Sequence, residues 1–172
     1  MPDICMEKNF SPLLENCSDF TDVFELVKHG VEKVLDKSRA GLMLGLANLG
    51  GAPGYYLGAY YTLDSNMIVM NSFPLKMLRE KDAKLLKPYV FHILLHEYLH
   101  SLGWHDEAQT RKVTHHVCNQ LFGNAHTTTK MAKDMRPFLP SLSYAEFGWF
   151  PKQEPELFIL RGFDKGHLTY VA

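Results

Sequence analysis

The sequence predicts an α+β fold, a small mixed β-sheet packed against a motif-bearing helix and flanking helices. Two kinds of pattern carry this expectation. Apolar residues recur every three to four positions in long stretches near 19–37, 88–102 and 107–122, the signature of amphipathic helices. Between them lie short runs rich in β-branched and aromatic residues, bounded by Gly, Asn and Asp, which read as strands. The chain has 172 residues, 46% hydrophobic and 22% charged, an ordinary globular balance and enough to bury a core. One domain spanning 1–172 is expected, with an irregular N-terminal segment at 1–18 and an irregular, aromatic and Pro-rich C-terminal segment at 137–172.

Taken in order, Ser18 or Asp19 can cap a first helix reaching about Lys37, with Phe20, Val23, Phe24, Val27 and Val31 on its apolar stripe. Arg39 to Ala47 reads as a buried strand. The stretch from Asn48 to Gly54 is a loop by composition; it contains neither G-x-x-x-x-G-K-[ST] nor G-x-G-x-x-G, so its glycines imply turns and close packing rather than phosphate binding. Tyr55 to Leu63 and Met67 to Asn71 read as a hairpin turning at Asp64-Ser65-Asn66. Phe73 to Lys87 suggests a short helix and a loop. A helix is expected over Pro88–Leu102, stopped by Gly103, and another over Glu107–Phe122, stopped by Gly123. Thr127 to Met135 suggests a short helix, and Phe158–Leu160 and Leu168–Val171 closing strands.

The chemistry concentrates in His96-Glu97-Tyr98-Leu99-His100. On a helix, residues four apart share a face, so His96 and His100 can offer both imidazoles to one ion. Glu97 lies one step round, where its carboxylate can act on water beside that ion as a general base. The expected ion is Zn2+. A third ligand must come from beyond Gly103. Asp106 is the first candidate; it is also a good N-cap for the next helix. His105 and Glu107 follow, then His115 or His116. His92 makes another four-residue pair with His96, but Ile93 follows it, so it suits a packing or supporting role. His126 is a candidate for orienting a ligand.

With these residues in view, the chain resembles zincin-type metallopeptidases of pattern H-E-x-x-H-x-x-G-x-x-D, and in particular small archaeal and bacterial ones in which HEYLHSLG precedes an Asp-Glu pair. The similarity spans about Gly41 to His126. It differs from the metzincins at Asp106 and in lacking a Met-turn, although Met131 and Met135 lie downstream. The resemblance implies a zincin-like domain hydrolysing peptide bonds, with a strand ahead of the motif helix forming the cleft rim; Gly58, Ala59 and Tyr60 would then border the substrate. Tyr144, His167 and Tyr170 are candidates for a second oxyanion donor. The ligand layout also resembles a bacterial ribonuclease of ribosomal RNA maturation, which has Gly where this chain has Glu97. A metal-dependent ribonuclease is therefore one alternative, and a non-catalytic zinc-stabilised binding domain is another.

Bulk properties narrow these choices. The net charge of −1 shows no basic excess, which counts against nucleic acid as the partner and leaves a peptide or protein substrate. Cys5, Cys17 and Cys118 form no C-x-x-C pair and are odd in number, which fits a reducing cytoplasm. Cys118 is in phase with core positions; Cys5 or Cys17 offers a thiolate that would cap the ion in a latent form. The N-terminus lacks the basic start and apolar run of a signal peptide, and no apolar stretch approaches a spanning length. A cytoplasmic protein without a membrane partner is the expectation.

Overall fold

In a computed structural model, which describes residues 9–143 and 147–160, the chain is an α+β structure with a four-stranded mixed sheet. Helix α1 (Ser11–Glu15) falls inside the stretch expected to be irregular. Helix α2 (Phe20–Leu35) starts where Asp19 accepts a hydrogen bond from the Asp22 N–H, and ends at Asp36 in a left-handed conformation. Strand β1 (Met43–Ala47) is shorter than the sequence suggests. Residues 39–42 leave the sheet because Arg39 is drawn elsewhere: its guanidinium donates to Tyr61 Oη, Ser65 O and Ser101 O.

Strands β2 (Ala59–Tyr61) and β3 (Met67–Asn71) form the expected antiparallel hairpin. Only three residues of the first arm pair. The reason lies in Asn71, fully buried at the end of β3. Its Oδ1 accepts from Leu49 N and Phe73 N, and its Nδ2 donates to Gly50 O and Leu57 O. One amide side chain thus pins both ends of the glycine-rich loop, satisfying backbone groups that would otherwise be buried without partners.

Strand β1 pairs parallel with β3 and antiparallel with β4 (Phe158–Ile159), giving the order β2-β3-β1-β4. Strand β2 is therefore an edge. Helix α3 (Ser72–Lys81) and a 3-10 turn lead into α4 (Leu86–Ser101), followed by α5 (Glu107–Phe122), α6 (Thr127–Lys133) and a 3-10 segment at Arg136–Ser141. The expected strand at Leu168–Val171 lies outside the described residues.

Helix α4 is the centre of the core. From Tyr89 to Leu99 every residue is buried except His92 and His96. The sequence suggests one apolar face; the structure wraps α4 with α2, α5, α6 and β2, so nearly all faces are covered. The histidines at 92, 96 and 100, each four residues on, are the line along which the helix opens to solvent. Tyr98, opposite, meets Phe24 edge to face at 5.5 Å, and its hydroxyl accepts from Arg39 N at 2.8 Å. Cys17 and Cys118 are free and buried in this core. Among the described residues, no helix is long and apolar enough to cross a membrane.

Candidate metal centre

His96 and His100 reach the same point because they stand one turn apart on a helix held rigidly by its packing. Their Nε2 atoms are 3.1 Å apart. His100 Nδ1 lies 2.6 Å from Trp104 O. A carbonyl only accepts, so Nδ1 carries the proton and Nε2 presents its lone pair. That carbonyl is brought back by the turn after α4. Gly103 has φ +112°, open to glycine and strained for other residues. The turn is closed by Trp104 N donating to Leu99 O.

The chain re-enters helix at Asp106. Its carboxylate accepts from Gln109 N at 2.7 Å and caps α5. With that side chain turned into the cap, Glu107 becomes the first helical residue and points back at the histidines. Glu107 Oε2 is 3.2 Å from His96 Nε2, and Oε1 is 2.9 Å from His100 Nε2. Asp106, the first candidate from sequence, caps the helix here, and the carboxylate of the next residue is the one in contact with both imidazoles. His105 is exposed and borders a separate pocket of about 620 Å³ beside Arg39 and Ser101.

Glu97 is buried, with 7% of its surface exposed. Its carboxylate and the two imidazoles place ligand atoms within 4.8 Å of one another, a group that could hold a metal ion. The backbone N–H of Tyr61 on β2 bonds the same carboxylate. Burial pushes the Glu97 pKa up to about 7; His100 and the Tyr61 N–H oppose the rise and Glu107 adds to it. Burial also lowers the pKa of His96, so its neutral, ligating form is favoured. Two carboxylates compete for the role of third ligand. The oxygens of Glu107 are in direct contact with both Nε2 atoms, while Glu97 is engaged with β2.

The donor set fits a divalent cation. Ligands about 2.0 Å from a tetrahedral ion stand about 3.3 Å apart. The two Nε2 atoms stand 3.1 Å apart and each meets its own oxygen of the Glu107 carboxylate, at 3.2 and 2.9 Å, spacings close to that value.

A cleft of about 540 Å³ opens beside this triangle, bordered by Gly58 and Ala59 on one side and Glu107 and Arg111 on the other. Gly58 is closely packed: a Cβ there would lie 2.5 Å from Tyr56 Oη and 2.6 Å from Ile93 Cδ1. Tyr60 is exposed on the edge strand. His92 lines the cleft, and burial drops its pKa to about 3, keeping the ring neutral.

The remaining candidates lie elsewhere or are not described. His126 accepts from Thr128 N as the cap of α6, stacks on Phe122 at 4.5 Å and meets Ser11 Oγ, so it orients no ligand of the triangle. His116 is exposed, and His115 Nε2 is enclosed without a partner. The Cys17 thiol donates to Leu13 O, and burial raises its pKa, the opposite of what a capping thiolate needs. Cys5, Tyr144, His167 and Tyr170 fall outside the described residues.

Fold and site together define an α+β protein carrying a candidate metal centre on its central helix. Comparison with known protein families, curated proteins and solved structures finds no match to this chain.

Proposed function

We propose that the protein is a zinc-dependent metallopeptidase of zincin-like architecture, in which His96, His100 and Glu107 hold the ion and Glu97 is the general base. The observation that carries this reading is the three-donor triangle with a second, buried carboxylate beside it. A purely structural ion would have no use for that second carboxylate.

Zinc, when bound, supplies Lewis acidity toward a water and toward a scissile carbonyl. The chain supplies the rest. Glu97, buried beside the two imidazoles, takes a proton from water and returns it to the leaving amine, a role worth about two to four powers of ten in rate. The Tyr61 N–H holds the carboxylate in place and ties it to the edge of β2. Residues two apart on a strand direct backbone groups to the same side, so Ala59 shares that free edge. An extended peptide adding to β2 would lie across the triangle. His100 is fixed as an Nε2 donor by its bond to Trp104 O.

The test is Glu97→Gln. The variant should bind one zinc per chain as the wild type does, yet lose cleavage by about 10²- to 10⁴-fold. Metal content and turnover of a broad peptide library measure the two effects separately. A zinc-loaded wild type that cleaves no peptide in the library sinks the proposal.

A further inference from the structure

We infer that the part of the cleft beyond the triangle binds a carboxylate of the substrate, with Arg111 as its main partner. This deepens the peptidase reading and rests on it.

Three cationic side chains line that part of the cleft, Arg111, Lys133 and Arg136, against one carboxylate, Asp134, apart from the two glutamates of the centre. Asp134 is already taken: it accepts from Arg136 Nη2 at 2.9 Å and from its Nε. Arg111 and Lys133 have no hydrogen bond or ion pair with any described residue. Arg111 stands one turn along α5 from Glu107, on the same face, so its guanidinium flanks the position of the ion. Within the centre, a divalent cation balances Glu97 and Glu107. Among the described residues, what remains of the cleft is net positive.

His92 adds an independent pointer. It stands one turn before His96 on the line of histidines, and it also borders this cleft. Its Nδ1 is enclosed without a partner, whereas its Nε2 is not enclosed. An orphaned buried N–H is rarer and costlier than an orphaned lone pair, so the proton belongs on Nε2, the nitrogen open to the cleft. The half-buried His92 ring thus offers a neutral donor, and an exposed guanidinium offers a forked one, to the same volume. A carboxylate has the acceptors to take both. Among the described residues that line the cleft the free cations are two, too few to track a run of phosphates.

Two sources supply such a group: an Asp or Glu side chain, or the C-terminal carboxylate of the substrate. The experiment is cleavage-site profiling of a mixed peptide library by the zinc-loaded wild type and by Arg111→Gln, an exposed position on α5. A Lys133→Ala variant runs beside them. The expected wild-type result is a carboxylate enriched at one fixed position on one side of the cleaved bond. Enrichment that follows internal Asp and Glu identifies the side chain as the source. Enrichment that follows the chain end, and vanishes when peptides are amidated, identifies the terminus.

In Arg111→Gln, the ratio of kcat/KM between acidic peptides and their amide counterparts should fall by about tenfold to a hundredfold, mostly through KM. Lys133→Ala should shift it less, and Arg111→Lys should restore part of it. Cleavage without any carboxylate enrichment overturns this inference and leaves the peptidase reading standing. Failure to cleave any peptide overturns both. Zinc-dependent cleavage of single-stranded RNA that Glu97→Gln abolishes overturns both in favour of a nuclease.

Discussion

The two halves of the candidate centre are assembled by different means. His96, Glu97 and His100 ride on one helix whose position is set by burial on nearly every side. Glu107 arrives from the first residue of another helix, across the turn 102–106, and is itself exposed. In the first half, geometry follows from helical spacing alone. In the second, it follows from which of two adjacent carboxylates is captured by a helix N-terminus. Asp has the shorter side chain and the better capping geometry, so Asp106 turns inward to Gln109 N and Glu107 is left to reach the imidazoles.

The strongest way to break this comparison is to remove one donor from each half. His96→Ala and Glu107→Ala should each weaken zinc binding by at least about a hundredfold, the upper end of what loss of a merely supporting partner gives. Competition against a chromogenic chelator measures both. Near-equal losses mean that the exposed carboxylate at the start of α5 is as much a ligand as the half-buried imidazole on α4. Should Glu107→Ala bind zinc as the wild type does, the third ligand must be sought elsewhere, with Asp106 again first.

What was legible from sequence divides along the same line. Helix α4, its glycine stop and the pairing of His96 with His100 follow from period and composition, because a long buried helix leaves little freedom to its residues. The hairpin β2–β3 and the start of α5 were legible too, through turn and cap residues. The carboxylate that meets both imidazoles was not. Asp106 and Glu107 are neighbours of the same charge, and choosing between them needs the backbone angles of the turn. Nor does sequence reveal that Asn71 pins the loop before β2, since its four partners lie 2 to 22 residues away. The tautomer of His100 depends on a carbonyl placed by Gly103, again a matter of three dimensions.

A smaller effect tests the wall facing the centre. Gly58 borders the cleft, but a Cβ there would press on Ile93 Cδ1 and Tyr56 Oη rather than on open space. Gly58→Ala should therefore act first on stability, at about 1–3 kcal/mol, the usual cost of overpacking. Chemical denaturation reads this directly. If instead the variant keeps full stability and loses only affinity for peptides, Gly58 belongs to the substrate path and not to the contact between β2 and α4. Either result sharpens the contrast, since α4 is the element that both the strand and the imidazoles depend on.

The smallest expected effect is the most discriminating for the turn. Asp106→Ala removes one hydrogen bond, from Gln109 N, and a negative charge at the positive end of α5. The loss should be about 0.5–2 kcal/mol in stability, as for other N-caps. Zinc affinity should fall far less than in Glu107→Ala, because the Asp106 carboxylate is spent on the cap. Some loss is still expected: Glu107 is held in place by the helix start that Asp106 secures, and a fraying first turn lets its carboxylate drift from His96 and His100. Asp106→Asn, which keeps a capping oxygen without the charge, should therefore recover zinc affinity nearly to the wild-type value. If Asp106→Asn were as damaging to zinc binding as Glu107→Ala, the carboxylate charge at 106 would be at the ion, and the cap would be a conformation that the ion displaces.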